Sequence, residues 1–253
     1  MSAYGSVARY YDAEYDGVRQ DVDFFLERLR AERVRGPLLE PGCGTGRVVA
    51  PLAAAGYRVC GFDISEAMLR RARRRRGALP PEARARLRFS RQDMVAFRYQ
   101  ERFGAVVLAF STLNLLPDAE GRRRCLQRIA EHLEPGGLLL ADLPNPEEPG
   151  AAAPRRHGTS FRLPGSGHLI AKTVEESLRP GGDAIAVRYT YTARRWLDDA
   201  VVDELQVEFS LARVGRGEIE GMLEEVGLEP EEIRGDYLGR PFGARSPRTI
   251  PAA

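Results

Sequence analysis

The chain has 253 residues, 43% of them hydrophobic and 29% charged, with a formal net charge of +2. This length suits one large domain or a core with an insertion, and the composition is ordinary for a globular protein. No apolar run approaches a bilayer-spanning length, and the acidic, tyrosine-rich start is unlike a signal peptide. The odd number of cysteines, Cys43, Cys60 and Cys125, lacks C-x-x-C spacing. That disfavours a zinc site and a disulfide framework, so no metal and a reduced, cytoplasmic protein are expected. Lys172 is the only lysine, and arginine carries the remaining positive charge.

In chain order, residues 22–34 carry apolar residues at helical spacing. A short buried strand at 37–41 is followed by the glycines of "PGCGTG" and a helix over roughly 46–55. A second strand at 57–63 leads to Ser65, which suits the N-cap of an arginine-rich helix. Within that helix Met68, Leu69 and Ala72 form the buried side. The arginines at 70–88 read either as a solvated face or as a nucleic-acid patch, but no aromatic residues are interleaved for base stacking. Strands are expected at 87–93 and 103–110, a helix at 118–133, the turn "EPGG", and a fifth strand at 138–143. Alternating strands and helices predict a doubly wound, mostly parallel α/β sheet that binds ligands at the strands' carboxyl ends.

That pattern breaks at 144–160, where a Pro-, Gly- and Ala-rich stretch reads as a linker. Residues 161–213 switch to a period of two, with turns at "RPGGD" and "DDA", predicting an antiparallel β insertion. In its middle strand Ile185, Val187, Tyr189 and Tyr191 share one face. Ala186, Arg188, Thr190 and Thr192 share the other. A helix at 217–228 and the final segments return to the main sheet. The expected organisation is therefore a core at 1–143, an insertion at 144–213, and the rest of the core at 214–253. The insertion is expected to cap a substrate or to join two copies.

A glycine-rich turn between a strand and a helix lets a ligand approach the backbone, because no Cβ intervenes. Three acids refine this reading. Asp63 ends the second strand, where an acid accepts from both ribose hydroxyls. Asp93 ends the third, placed for an adenine amino group, and Glu40 precedes the glycines, suited to a cationic amine. Each could alone be a cap or a solvated turn residue. Together they describe adenine, ribose and an ammonium, the groups of S-adenosylmethionine.

The stretches "LLEPGCGTG", "GFDISEAMLRRAR", "RQDM" and "EHLEPGGLLLADL" resemble the motifs of class I S-adenosylmethionine-dependent methyltransferases of the small-molecule type. The resemblance covers residues 1–143 and resumes at 217–253, implying a seven-stranded sheet. It implies that Gly42, Cys43 and Gly44 line the methionine portion and Asp63 holds the ribose, with Ile64 against adenine. Asp93 and the Met94 N–H would meet the adenine edge. Ala109 and Phe110, ending the fourth strand, would bound the methionine end, with Tyr11 as a lid.

The implied activity is methyl transfer to an N or O nucleophile of a small molecule, without a membrane partner. The alternatives are a nucleic-acid methyltransferase, a non-catalytic cofactor-binding module, and an NAD-dependent dehydrogenase. The dehydrogenase leaves Glu40 and Asp93 unexplained, and no N/D-P-P-Y/F signature follows the fourth strand. The sulfonium already activates the methyl group, so a catalytic base is optional. Tyr10, Tyr11, His157 and His168 remain open as bases, His132 is expected at the surface, and Asn114 is a candidate substrate-facing group.

Overall fold

The computed structural model describes residues 3–253. The chain opens with α1 (Ala3–Tyr15) and α2 (Gln20–Ala31). An alternating series follows: β1 (Leu38–Pro41), α3 (Val49–Ala54), β2 (Val59–Asp63), α4 (Glu66–Gly77), α5 (Pro81–Arg86) and β3 (Leu87–Arg91). Next come β4 (Phe103–Leu108), a 3₁₀ turn (Leu113–Leu115), α6 (Ala119–His132), β5 (Leu133–Ala141) and β6 (Leu143–Pro144). The later elements are β7 (Arg155–Leu163), β8 (His168–Leu178), β9 (Ala184–Arg195), β10 (Val201–Ala212), α7 (Arg216–Glu225), β11 (Glu232–Arg234) and β12 (Arg248–Ala252).

The main sheet runs β11-β12-β5-β4-β1-β2-β3, with β6 beside β12. The strands from β5 to β3 are parallel, and β12 and β11 close the edge antiparallel. Every residue of β1 and β4 is buried, as a sheet covered on both faces requires. Alternation along β1 sends Leu38 into the cluster built with Phe25 and Leu29 of α2 and Leu52 of α3. Leu39 enters the opposite cluster, with Leu126 and Ile129 of α6 and Leu223 of α7. The helices thus bury both faces and leave the carboxyl ends of the strands open.

Two helix starts are fixed by their caps. Ser65 Oγ accepts from the Met68 N–H at 3.4 Å, and Asp118 Oδ1 accepts from the Gly121 N–H at 2.6 Å. Several boundaries differ from the sequence expectation. The fourth strand ends at Leu108, so Ala109 and Phe110 lie in the turn beyond it. "EPGG" is not a separate turn but sits inside β5, where the pairing register with β4 shifts. Residues 155–163, counted largely as linker, form β7, so the antiparallel sheet has four strands rather than three. The low-propensity "RRHGTS" acquires its ladder from β8, a tertiary pairing that local pattern does not encode.

The second sheet, ordered β10-β9-β8-β7, packs against α1 and α4. Its inner residues Ile170, Tyr191, Ala193 and Val207 form a third cluster with Val7 and Tyr10 of α1 and Met68 of α4. Tyr191 and Val187 are buried while Arg188 is exposed, the division of faces that the period-two pattern predicts. A buried ion pair crosses this contact. The Lys172 ammonium meets the Glu14 carboxylate, with side chains 2% and 8% exposed. It also donates to Tyr15 Oη at 3.0 Å and sits 3.5 Å from the Tyr189 ring centroid. Tyr191 Oη donates to the other Glu14 oxygen at 2.9 Å. Burial pushes the Lys172 ammonium below its ordinary pKa, against the pull of Glu14.

Candidate active site

A cavity of about 520 Å³ opens at the carboxyl ends of β1, β2 and β4. Its floor is the β1–α3 loop. Gly42, Gly44 and Gly46 have φ of 67°, 54° and 79°, left-handed values that disfavour any side chain. At Gly42 space is as restrictive as conformation, since a Cβ there would lie 2.5 Å from Thr112 Cγ2. Gly42→Ala is expected to weaken cofactor binding at least tenfold and to lower Tm, the strain being on the order of 1–3 kcal/mol. Combining it with Thr112→Ser, which removes that methyl, should recover part of both losses. Calorimetry and thermal unfolding check this; an unperturbed single variant overturns it.

The three acids arrive from successive strands, as expected. Asp63, at the end of β2, accepts from the Gly44 N–H at 2.9 Å and the Ser65 N–H at 2.7 Å. A carboxylate has about four lone-pair sites, so these two bonds leave it room to accept from a ligand. Burial raises its pKa, against the lowering effect of these amide bonds. Glu40 is 4% exposed and its Oε2 has no hydrogen-bond partner among the described residues. Burial is the main force pushing its carboxyl up to about 8, with Arg47 opposing. Asp93 lies two residues past the end of β3 rather than on it, and its Oδ1 accepts from the Val95 N–H at 3.1 Å.

The remaining sequence candidates line the same cavity: Tyr11, Cys43, Ile64, Met94, Ala109 and Phe110. Ile64 and Phe110 are 50% and 37% exposed despite their apolar side chains, because both face the cavity rather than the core. Burial raises the Tyr11 phenol and the Cys43 thiol above their ordinary pKa values, so both stay neutral.

Other candidates lie elsewhere. Asn114 is fully buried and spends its Nδ2 on the Ala212 carbonyl at 2.8 Å, tying the 3₁₀ turn to β10. It therefore does not face the cavity. His132 is buried rather than at the surface, with Nε2 accepting from the Tyr99 N–H at 3.0 Å. Tyr10 donates to Asp203 and stacks on Tyr191, pinning α1 to the second sheet. His157 and His168 sit on β7 and β8, away from the cavity lining.

Sequence reasoning missed Arg47. It is 6% exposed, ion-paired with the fully buried Asp21 of α2, and its guanidinium lies 4.8 Å from the Phe110 ring centroid. The available signal was an arginine between the glycines and the apolar start of α3, matched by an acid among the apolar residues of α2. The insertion expected to cap a substrate borders the cavity through Phe209 and Ser210 of β10, two residues that the sequence reading did not single out.

The arginine-rich run on α4 has an internal use. Arg71 pairs with Asp12, and Arg75 pairs with Asp12 and Asp16, which docks α1 beside the cavity. Arg73 pairs with Glu66 of its own helix.

Residues 38–137 match a family profile described as "Methyltransferase domain". The chain is 28% identical to the cypemycin N-terminal methyltransferase of a Streptomyces species over 83% of its own length and 79% of that protein. It is 34% identical to the dTDP-3-amino-3,4,6-trideoxy-α-D-glucopyranose N,N-dimethyltransferase of Streptomyces venezuelae over 42% of this chain, but spans 41% of that relative. The CcbJ methyltransferase of Streptomyces caelestis superposes with a TM-score of 0.81 at 25% identity, covering 99% of this chain and 97% of that one. These likenesses, with the glycine loop, the three acids and their shared cavity, identify residues 38–137 as a methyltransferase domain and give the chain the fold of the class I S-adenosylmethionine-dependent methyltransferases.

Proposed function

We propose that the chain transfers a methyl group from S-adenosylmethionine to the amine of a small molecule. The observation that carries this reading is the convergence of every sequence-selected cofactor residue on one cavity that holds a buried, unpartnered Glu40 oxygen. An isolated buried acceptor is costly, and a ligand ammonium would satisfy it. The residues fit the cofactor: Glu40 receives the ammonium, Asp63 the ribose, Asp93 and the Met94 N–H the adenine edge, and Ile64 packs on the ring. Arg47, beside Glu40, suits the cofactor carboxylate. Gly42, Cys43 and Gly44 line its methionine portion, Ala109 and Phe110 bound its far end, and Tyr11 covers it.

When bound, the cofactor supplies an electrophilic methyl group that needs no further activation. The chain's residues then orient the acceptor and exclude water. Leu115, Leu116 and Pro117, together with Phe110 and Phe209, give that end of the cavity an apolar lining. Its polar side chains there, Thr112 and Ser210, are hydroxyls rather than carboxylates or imidazoles. An amine that enters neutral needs no base, whereas an alcohol does. The relatives named for N-methylation support the same preference. Pairing of two copies through the second sheet is supported by its β9–β10 turn, where Trp196 and Leu197 are 62% and 89% exposed.

The test combines mass spectrometry of the purified protein, for retained cofactor or product, with a screen of small amines, hydroxy acids and phenols for S-adenosylhomocysteine release. Turnover with amines is expected. A protein that binds neither S-adenosylmethionine nor S-adenosylhomocysteine overturns the reading.

Glu40 gives a second check. With its pKa near 8 in the free protein, the carboxyl is neutral at pH 7 and must ionise to receive an ammonium. Affinity for S-adenosylhomocysteine should therefore rise with pH by about tenfold per unit up to that pKa. Calorimetry at pH 7 in buffers of different ionisation enthalpy should register release of about one proton, lost in Glu40→Gln. A pH-independent affinity would remove Glu40 from the site.

A further inference from the structure

The turn after β4 holds two consecutive non-glycine residues in the left-handed region, Phe110 at φ 54° and Ser111 at φ 62°. Such conformations persist only where the surroundings over-determine them. Here the surroundings are specific. The Phe110 N–H donates to Asp142 Oδ2 at 3.0 Å, and the Ser111 N–H donates to the Asp142 carbonyl at 3.0 Å. Asp142 is 1% exposed, and its carboxylate also accepts from Tyr237 Oη at 2.6 Å and from Arg248 Nε at 2.6 Å. Arg248 Nη2 continues to Ser111 Oγ at 3.0 Å, closing a ring of contacts around the turn.

These partners come from separate parts of the chain: Asp142 follows β5, Tyr237 lies in the loop after β11, and Arg248 begins β12. None of the three lines the cavity. What they hold does line it. The strained turn places the Phe110 ring in the cavity wall, 4.8 Å from the Arg47 guanidinium and 5.3 Å from the Tyr15 ring. On its other side, Thr112 fills the space that a Cβ on Gly42 would need. Relaxing Phe110 and Ser111 toward ordinary backbone angles would turn the ring away and loosen Thr112 against the glycine loop.

We propose that Asp142, Tyr237 and Arg248 are positioning residues for methyl transfer, holding the left-handed Phe110–Ser111 turn so that the Phe110 ring borders the acceptor end of the cavity. This rests on the methyltransferase reading above. A carboxylate serves because it accepts several donors at once from different directions. Tyr237 and Arg248 orient that carboxylate, and the Arg248 guanidinium also neutralises it. The arrangement places the transfer geometry under the control of the chain's final strand, remote from the glycine loop and the acids.

The test uses the full chain with Asp142→Asn, Tyr237→Phe and Arg248→Lys, and a second-site variant, D142N combined with S111G. Binding of S-adenosylhomocysteine by the parent protein is measured first, and its absence would refute the methyltransferase reading by itself. In D142N, binding should stay within about threefold of the parent, while the amides of Phe110 and Ser111 exchange with solvent at least tenfold faster. Turnover with an amine found in the screen should fall at least tenfold, mainly in kcat. Glycine adopts φ 62° without support, so S111G should restore at least threefold of the turnover lost in D142N. Y237F and R248K should show smaller losses of the same kind. Unchanged turnover in D142N would overturn the proposal. So would a loss explained by weaker S-adenosylhomocysteine binding, or unchanged exchange at the two amides. A D142N defect that S111G leaves untouched would reduce the network to ordinary packing and equally overturn it.

Discussion

Asp63→Ala is expected to weaken binding of S-adenosylmethionine by roughly 2–4 kcal/mol, on the order of 30- to 1,000-fold. In the proposed complex the substitution leaves two ribose hydroxyls without their acceptor. It also strips the Gly44 and Ser65 N–H groups of theirs, at 2.9 and 2.7 Å. The loop that cradles the ligand therefore loses its anchor together with the ligand contact. Asp63→Asn separates the two effects, because an amide oxygen can still accept from one of these donors while the charge is gone. The asparagine variant should lose less affinity than the alanine variant. Calorimetry on variants with a cooperative unfolding transition is the measurement. An alanine variant that folds and binds within threefold of the parent would remove Asp63 from the ribose site.

The second large effect concerns the contact between α1 and the second sheet. Lys172→Met should cost about 3–5 kcal/mol of stability, the usual penalty for removing one member of a buried ion pair. The reason is the carboxylate left behind. Glu14 is 8% exposed on its side chain, and neighbours such as the Tyr191 hydroxyl at 2.9 Å offer it hydrogen bonds but no opposite charge. Combining Lys172→Met with Glu14→Gln should recover most of the loss, since a neutral amide is far cheaper to bury than a charge. Chemical denaturation reads both variants. A single-variant loss under about 1 kcal/mol would mean that solvent reaches the pair readily.

Local pattern made the core sheet legible, and with it the residues proposed to hold the cofactor, which line one cavity. Gly42, Asp63 and Glu40 were visible because the chemistry demands those residue types at strand ends, and strands are found by their apolar runs. Other residues at and around the cavity were not visible in the same way. Arg47, Phe209 and the Asp142–Arg248 pair are joined by contacts between residues far apart in the chain, and no period or spacing marks them. Asn114 and His132 misled for the opposite reason. Both are polar residues near the ends of elements, where a solvated or functional role is the local expectation. Tertiary packing instead spends them on backbone partners, Ala212 and Tyr99. β7 was missed because a strand with charged and small residues on an exposed face carries little apolar alternation.

Lys172 is the only side-chain amine in the protein, and it is sealed beneath the helix that carries Tyr11. An amine-directed reagent, such as formaldehyde with a mild reductant, can therefore modify a side chain only when α1 lifts from the second sheet. The rate at which that one site gains mass reports how often this contact opens. The arginine-for-lysine bias elsewhere in the sequence makes the molecule a self-contained reporter of its own breathing, with no label to introduce and no background to subtract from other lysines.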